Sequence, residues 1–375
     1  MNLHVTNDNY GFFPSQIAKR IKNADKKSNN LMVNLSRKSK IKDDYITYIS
    51  VSTISFKNYL STIRRIDKII FHPYNLIGYQ FLKQALKKFP DIKIYWVFWS
   101  YELYSLPHLV HRLYEPFSYR YVSENNSSLK KNVKKYVYQA LNIMGVKKNY
   151  RKILKYSYSH VHFFCSVLPS DFTFFQSQTE NKNIQYLPFS YLSLENIMPG
   201  LTEFYSKGDK IMIGHSSLPD GNHYEIIQKV STINNTFSIF LPLAYGDTEY
   251  GIMIKEIAGN KFKKIEVLEE KLESYLYYQK LTEVGWAIIN AKVQQGLGNI
   301  IALIWMGVKV FLDKNVSTYK DFLSWDIIVF SIQDHLNKNE LSHKLTSEQM
   351  ENNRNKILEK FTEVNVMRYW KEVLD

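Results

Sequence analysis

The chain of 375 residues contains a single cysteine, Cys165. One thiol excludes an internal disulfide and any metal site of the CxxC type, and it suits a reducing compartment. An apolar run long enough to span a bilayer is also missing. The longest, IIALIWMGVKVFL over 300–312, is interrupted by Lys309 and falls short of the roughly 20 residues a spanning helix needs. The opening MNLHVT has no basic region followed by an apolar one, so it reads as a first strand and not as a secretion signal. These features lead us to expect a cytoplasmic protein that does not cross a membrane. Familiar catalytic signatures are missing too. There is no GxxxxGK[ST] phosphate loop, no GxGxxG fingerprint and no GxSxG elbow. No DxD pair follows a strand, so a divalent-cation bridge to a diphosphate is not expected. The closest histidine pair, HVH over 160–162, suits a structural role better than a metal site. No metal and no cofactor are expected.

Carboxylates are missing from one long segment. No Asp or Glu occurs between Glu124 and Asp171, in a chain whose net charge is +14. That gap holds Lys130, Lys131, Lys134, Lys135, Lys147, Lys148, Arg151, Lys152 and Lys155. Val133, Val137, Ala140, Leu141 and Met144 recur beside them at helical spacing. A basic amphipathic helix of this kind suits an anionic membrane surface. The plainer alternative is a packed helix with a solvated basic rim.

What is present is rich in core material: 45% hydrophobic residues, with 28 Tyr and 22 Phe. The length suits two domains. Strand-like runs alternate with helix-length segments. In the first half they are 3–6, LMVNL (31–35), YITYISV (45–51), KIIFHPY (68–74) and IKIYWVFW (92–99). In the second half they are KIMI (210–213), FSIFLPL (237–243), KKIEVL (263–268), GWAIIN (285–290), VKVFL (308–312) and DIIVF (326–330). This rhythm predicts an α/β protein of two doubly wound, Rossmann-like domains with a cleft between them. The mixed stretch 193–209, with Pro199, Gly200 and Gly208, reads as the linker, and the tail from about 347 as one long charged helix.

Ligands of such sheets bind beyond the carboxyl ends of the strands, so the junctions after them matter most. After KIIF comes His72, in HPYN. After IYWVFW comes Glu102, the only carboxylate between Asp91 and Glu115. Burial would raise its pKa and suit it to general-base work; an N-cap or structural ion pair explains it equally well. The junction GHSSLPDGNH offers Gly214, where a ligand could approach the backbone, with Ser216 and Ser217 as hydroxyl donors to a phosphate. Tyr245 and Gly246 close the next strand. In NAKVQQGLGN, Gln294, Gln295, Gly296, Gly298 and Asn299 precede a helix, and the glycines would free its first amides to face an anion.

Five segments, in order, resemble one known family: IYWVFWSYELY, IMIGHSSLPDGNHYEII, IFLPLAYG, VLEEKLESYLYYQKL and INAKVQQGLGNIIALIWMGVKVFL. The chain is similar to the bacterial 4-acetamido-4,6-dideoxygalactose (Fuc4NAc) transferases, glycosyltransferase family 56, the 4-alpha-L-fucosyltransferase-like enzymes. The matching segments lie between about residues 68 and 325. The resemblance implies a GT-B fold with an acceptor-binding, membrane-facing domain at 1–195 and a donor-binding domain at 209–346. The helix over 347–375 would pack back on the first domain. It implies a dTDP- or UDP-sugar donor and a polyprenyl-diphosphate-linked glycan acceptor, handled at the cytoplasmic face of the inner membrane without a metal. Gly214, His215, Ser216, Ser217, Asn222 and His223 would form one donor loop; Gln294, Gln295, Gly296, Gly298 and Asn299 the other. Tyr245 and Glu270, with Lys271 and Leu272, would complete the donor site. Glu102 stands where the family has an acidic residue, usually aspartate, and is the first candidate for the base, with His72 second. Two alternatives compete: a non-catalytic sugar-nucleotide binding protein, and a basic nucleic-acid-binding protein. The second is disfavoured because the basic residues cluster in one helical segment away from the junctions.

Overall fold

A computed structural model describes residues 1–7, 12–24, 29–36, 43–104, 109–125, 155–200 and 202–375. The basic positions Lys130, Lys131, Lys134, Lys135, Lys147, Lys148, Arg151 and Lys152 lie outside the described residues. The chain divides into two compact units. The first comprises Met1–Leu103, Met367–Asp375 and the described part of Tyr136–Ser190; the second comprises Tyr191–Val366 and the described part of Tyr104–Lys135.

Among the described residues the first unit holds seven strands: β1 (Asn2–Thr6), β2 (Asn30–Leu35), β3 (Ile46–Ile49), β4 (Lys68–His72), β5 (Lys93–Val97), β6 (Phe163–Ser166) and β7 (Gln185–Pro188). Their spatial order is β3-β2-β1-β4-β5-β6-β7, and every pairing is parallel. The second unit holds β8 (Lys210–Ile213), β9 (Ser238–Pro242), β10 (Lys264–Leu268), β11 (Val284–Ile289), β12 (Lys309–Leu312) and β13 (Phe330–Ser331). Their order is β10-β9-β8-β11-β12-β13, again all parallel. In both sheets the order reverses beside the first strand, which is the doubly wound arrangement. Parallel strands buried on both faces read as near-continuous apolar runs. That is why β8 and β11 were visible in the sequence. Strands β6 and β7 were not anticipated: each has only four residues, and FFCS sits among aromatics with no clear period. The expected strand DIIVF shrinks to Phe330–Ser331.

One face of the first sheet is polar at its centre. Alternation puts Asn2, His4 and Thr6 of β1 on one side, together with their register partners Lys68, Ile70 and His72 of β4. His4 Nδ1 lies 3.0 Å from His72 Nε2, and His4 Nε2 lies 3.0 Å from the Asn30 side-chain oxygen. The chain's last residues close this face. Lys68 Nζ donates to the Val373 carbonyl at 2.9 Å, and Asn2 Nδ2 to the Leu374 carbonyl at 2.6 Å. Trp370 stacks on the His72 ring, 6.2 Å between centroids, and its indole N–H donates to the Ser190 carbonyl at 3.0 Å. Buried polar groups need such partners, because each one left unpaired costs about 1–3 kcal/mol.

Three expectations are revised. The tail is two helices, Ser347–Phe361 and Glu363–Leu374, because Thr362 takes an extended conformation with ψ 151°. The stretch read as a linker contains a helical turn, Leu194–Ile197, capped by Ser193 and fastened by the Tyr278 hydroxyl to the Ile197 carbonyl at 2.6 Å. The segment 109–125, assigned by position to the first domain, packs in the second unit: Phe117 stacks on Tyr224 at 3.9 Å, and Tyr121 donates to Asp247 at 3.1 Å.

Trp370 is fully buried, so Trp370→Ala should destabilise the first unit by about 3–5 kcal/mol. Urea unfolding measures this; a loss under 1 kcal/mol would mean the tail is not part of that core.

Candidate functional site

The carboxyl ends of β8, β9, β10 and β11 gather the candidate residues of the second unit. β8 ends in Ile213, and Gly214 follows with φ 72°. The sequence reading gave this glycine the task of admitting a ligand. The structure gives it a neighbour instead: a Cβ there would lie 2.1 Å from His223 Nε2. Gly221 approaches the same ring, with a Cβ position 2.5 Å from His223 Cε1. Gly296 (φ 60°) caps the helix Leu297–Trp305, and a Cβ on it would meet His215 Cδ2 at 2.9 Å. The glycines therefore seat two buried imidazoles against backbone.

Both histidines are neutral. Burial lowers the His215 pKa to about 4. Burial, then the neighbouring His215, lowers that of His223 to about 3, with the Ser216 backbone opposing. A neutral ring offers one N–H donor and carries no charge.

The serines and asparagine of the loop have separate duties. The Ser217 amide and hydroxyl both donate to the Tyr245 carbonyl, at 2.8 and 2.9 Å, tying the loop after β8 to the loop after β9. The Ser216 hydroxyl is buried, accepts the Leu218 amide at 3.4 Å and bonds the Tyr245 phenol. Asn222, expected to contact a donor, is wholly spent inside the protein. Its side-chain oxygen accepts the Glu115 amide at 2.8 Å, and its nitrogen donates to the carbonyls of Leu113, Asp220 and Asn290 at 3.0, 3.0 and 3.1 Å.

A cavity of about 190 Å³ opens at this end of the sheet. His215, Tyr245 and Asn299 line it, with Pro242 and Leu268 at the ends of β9 and β10. Ala244, Lys271, Leu272, Ser274, Tyr277 and Tyr278 complete its wall. Tyr245 is 51% exposed, an unusual state for a tyrosine at a strand end, and its ring meets that of His215 edge to face. Glu270 points elsewhere: it is exposed and does not line the cavity, whereas its neighbours Lys271 and Leu272 do. The sequence reading did not single out Tyr277, Tyr278 or Asn299's companion Ser274; their only signal was a tyrosine-rich helix start. It also passed over Asp220, which receives the Gln295 amide at 2.5 Å. Burial raises the Asp220 pKa, opposed by that bond and by its own backbone amide. Gln294 is half-buried in the same turn, and Gly298 lies in the first turn of the helix that follows. The first amides of that helix have no carbonyl a turn behind them to accept their hydrogens.

The family described as 4-alpha-L-fucosyltransferase, glycosyl transferase group 56, matches residues 149–375. The chain belongs to glycosyltransferase family 56. No curated protein matches it. Among solved structures it is similar to the apo form of the lipopolysaccharide outer core galactosyltransferase WaaB, at 11% identity and a TM-score of 0.60, covering 100% of this chain and 99% of that one. It is similar to HepE of Anabaena in complex with UDP and glucose, at 9% identity and a TM-score of 0.61, covering 100% and 98%. Sucrose-phosphate synthase from Thermosynechococcus elongatus gives 9% identity, a TM-score of 0.63 and the same coverage. These likenesses establish the GT-B fold, and the family establishes a glycosyltransferase.

The family 56 chain places its two expected bases in the first unit. His72 is overturned as a base: it is 1% exposed, stacked between His4 and Trp370, and burial holds its pKa well below the usual value. The alternation of β4 turns it into the core, beneath Trp370. Glu102 is buried at 8% exposure and braces the turn after β5, accepting the Trp96 indole at 3.2 Å and the Trp99 amide at 3.0 Å. Burial pushes its pKa up to about 8, against those N–H groups. The raised pKa matches the reasoning from sequence; the carboxyl is no N-cap and forms no ion pair among the described residues, but lies inside the short helix Tyr101–Tyr104 and accepts N–H groups from residues before it.

Two measurements test this description. The native Glu102 carboxyl keeps its proton to about pH 8, whereas the unfolded one titrates near 4.5. Its contribution is therefore full below pH 4.5 and is lost as pH rises towards 8. The melting temperature of wild type should fall across that interval relative to Glu102→Gln; parallel curves would refute the shift. Gly214→Ala should destabilise by at least about 1–2 kcal/mol from the backbone alone, and by more because the His223 ring must move. Chemical denaturation reads this, and an unchanged midpoint would contradict the close packing.

Proposed function

We propose that this glycosyltransferase moves an amino-deoxyhexose of the Fuc4NAc type from a dTDP- or UDP-sugar to a polyprenyl-diphosphate-linked glycan during cell-surface polysaccharide synthesis. The observation that carries the donor half is the cavity at the carboxyl ends of β9 and β10. Its volume of about 190 Å³ is below the roughly 300–1,000 Å³ of pockets that engulf a whole ligand. It suits one flat part of a ligand, and a pyrimidine ring fits its chemistry. Tyr245 offers an exposed ring face, Leu268 and Leu272 offer apolar walls, and Ser274 and Asn299 offer polar groups. Stacking on an aromatic ring contributes about 1–3 kcal/mol per base.

The diphosphate then falls near His215 and the start of the helix Leu297–Trp305. A leaving diphosphate gains negative charge as the glycosidic bond breaks, and oriented dipoles that already face it stabilise that charge. The amides of Leu297 and Gly298 and the positive end of the helix dipole supply this without a metal. His215, neutral, adds a single N–H. The family resemblance supports the amino-deoxyhexose and the lipid-linked acceptor. The run of lysines from Lys130 to Lys152, free of carboxylates, supports attachment to the anionic cytoplasmic face of the inner membrane.

A thermal-shift panel with dTDP, UDP, GDP and NAD tests the donor half. Binding at 100 times Kd stabilises by about 2.7 kcal/mol, so dTDP or UDP should raise the melting temperature by several degrees while NAD does not. Tyr245→Ala should weaken that nucleotide roughly tenfold, the equivalent of about 1.4 kcal/mol. No response to any nucleoside diphosphate would refute the reading.

A further inference from the structure

Asp220 and Gln295 come from different loops, one after β8 and one after β11, and meet through a single bond, Gln295 Nε2 to Asp220 Oδ2 at 2.5 Å. Each keeps a second oxygen. Asp220 Oδ1 and Gln295 Oε1 are both shielded from solvent, and among the described residues neither has a hydrogen-bond partner. A buried acceptor left unpaired costs about 1–3 kcal/mol. The same loops satisfy Asn222 completely, while the two oxygens and the ring nitrogens of His223 stay without partners among the described residues; of these, the two oxygens lie on adjoining side chains from separate loops.

The mount is rigid. Asp220 sits in the short helix Pro219–Gly221, whose last residue abuts the His223 ring. Gln295 precedes Gly296, which abuts the His215 ring. His215 in turn lines the cavity assigned above to the nucleobase. The chemistry of the pair is selective. Two acceptors, one of them a carboxylate oxygen, repel a phosphate and welcome O–H or N–H groups. Lys292, three residues before Gln295, is engaged by Glu115, Asn290 and Asp313.

We propose that Asp220 and Gln295 form the recognition pair for the transferred sugar, accepting hydrogen bonds from hydroxyl or amide N–H groups of the hexose. This rests on the donor reading above and deepens it. It divides the site between a nucleobase cavity, a dipole-lined position for the diphosphate, and an acceptor pair for the hexose. Asp220 is a binding residue here and takes no proton from the acceptor.

The test compares two ligands by isothermal titration: dTDP, which lacks the hexose, and dTDP-Fuc4NAc, which carries it. Asp220→Asn keeps the shape but converts an acceptor into a donor. It should weaken dTDP-Fuc4NAc roughly tenfold, as expected for losing a hydrogen bond to a charged group, and leave dTDP within about twofold. Gln295→Ala should show the same split. Equal weakening of both ligands would make the pair a structural brace and overturn the proposal. Unchanged affinity for both would overturn it as well. Wild type that binds neither ligand overturns the donor reading itself, an outcome visible before any variant is made.

Discussion

The carboxamide of Asn222 is the constraint on which the second unit's ligand-facing end depends. It is completely buried, and its oxygen and nitrogen reach four backbone groups, at Leu113, Glu115, Asp220 and Asn290. Through it the loop after β8, the loop after β11 and the remote segment around residue 115 become one body. Asn222 itself takes a left-handed conformation, φ 51°, which asparagine tolerates better than most side chains. Lys292 repeats the connection with charge, bonding Asn290 at 3.1 Å and Asp313 at 2.7 Å and pairing with Glu115. A dense network of this kind holds loops in place before a ligand arrives, which lowers the ordering cost of binding.

The glycines around this network illustrate how a motif can be right and its reason wrong. GHSS and QQGLG look like loops that bring backbone close to an anion. At Gly214 and Gly296 the missing side chains make room for His223 and His215. Close approach is real, but the first partner is the protein's own imidazole. The same packing dehydrates both rings and holds them neutral, so His215 lines the cavity without adding cationic charge.

Much of the fold was legible. The runs that became β1 to β5 and β8 to β12 are largely apolar, bounded by turn residues and mostly spaced by helix-length segments, and all of them are strands. The junctions after them were the right places to look, because parallel sheets leave ligands only the carboxyl ends of their strands. The failures share a cause. β6 and β7 are too short for a period to show. His72 was misjudged because strand alternation says which residues share a face without saying what will cover that face; the cover, Trp370, lies some 300 residues later in the chain. Glu102 was read with two outcomes open, and its bracing role depended on the positions of the Trp96 and Trp99 N–H groups.

The sequence by itself determined the class of fold, the order of its strands along the chain and the family to which it belongs, because these follow from local hydrophobic periodicity and from motifs read in order. It also located the glycines, since a left-handed backbone admits few other residues. Only the tertiary structure decided which polar groups are consumed and which remain. Asn222, Ser217 and His72 are spent on partners distant in the chain, while Asp220 and Gln295 each keep a buried oxygen unpaired among the described residues. Whether a polar side chain is available to a ligand depends on every other donor and acceptor that packing brings within about 3 Å, and that inventory exists only once the chain has folded.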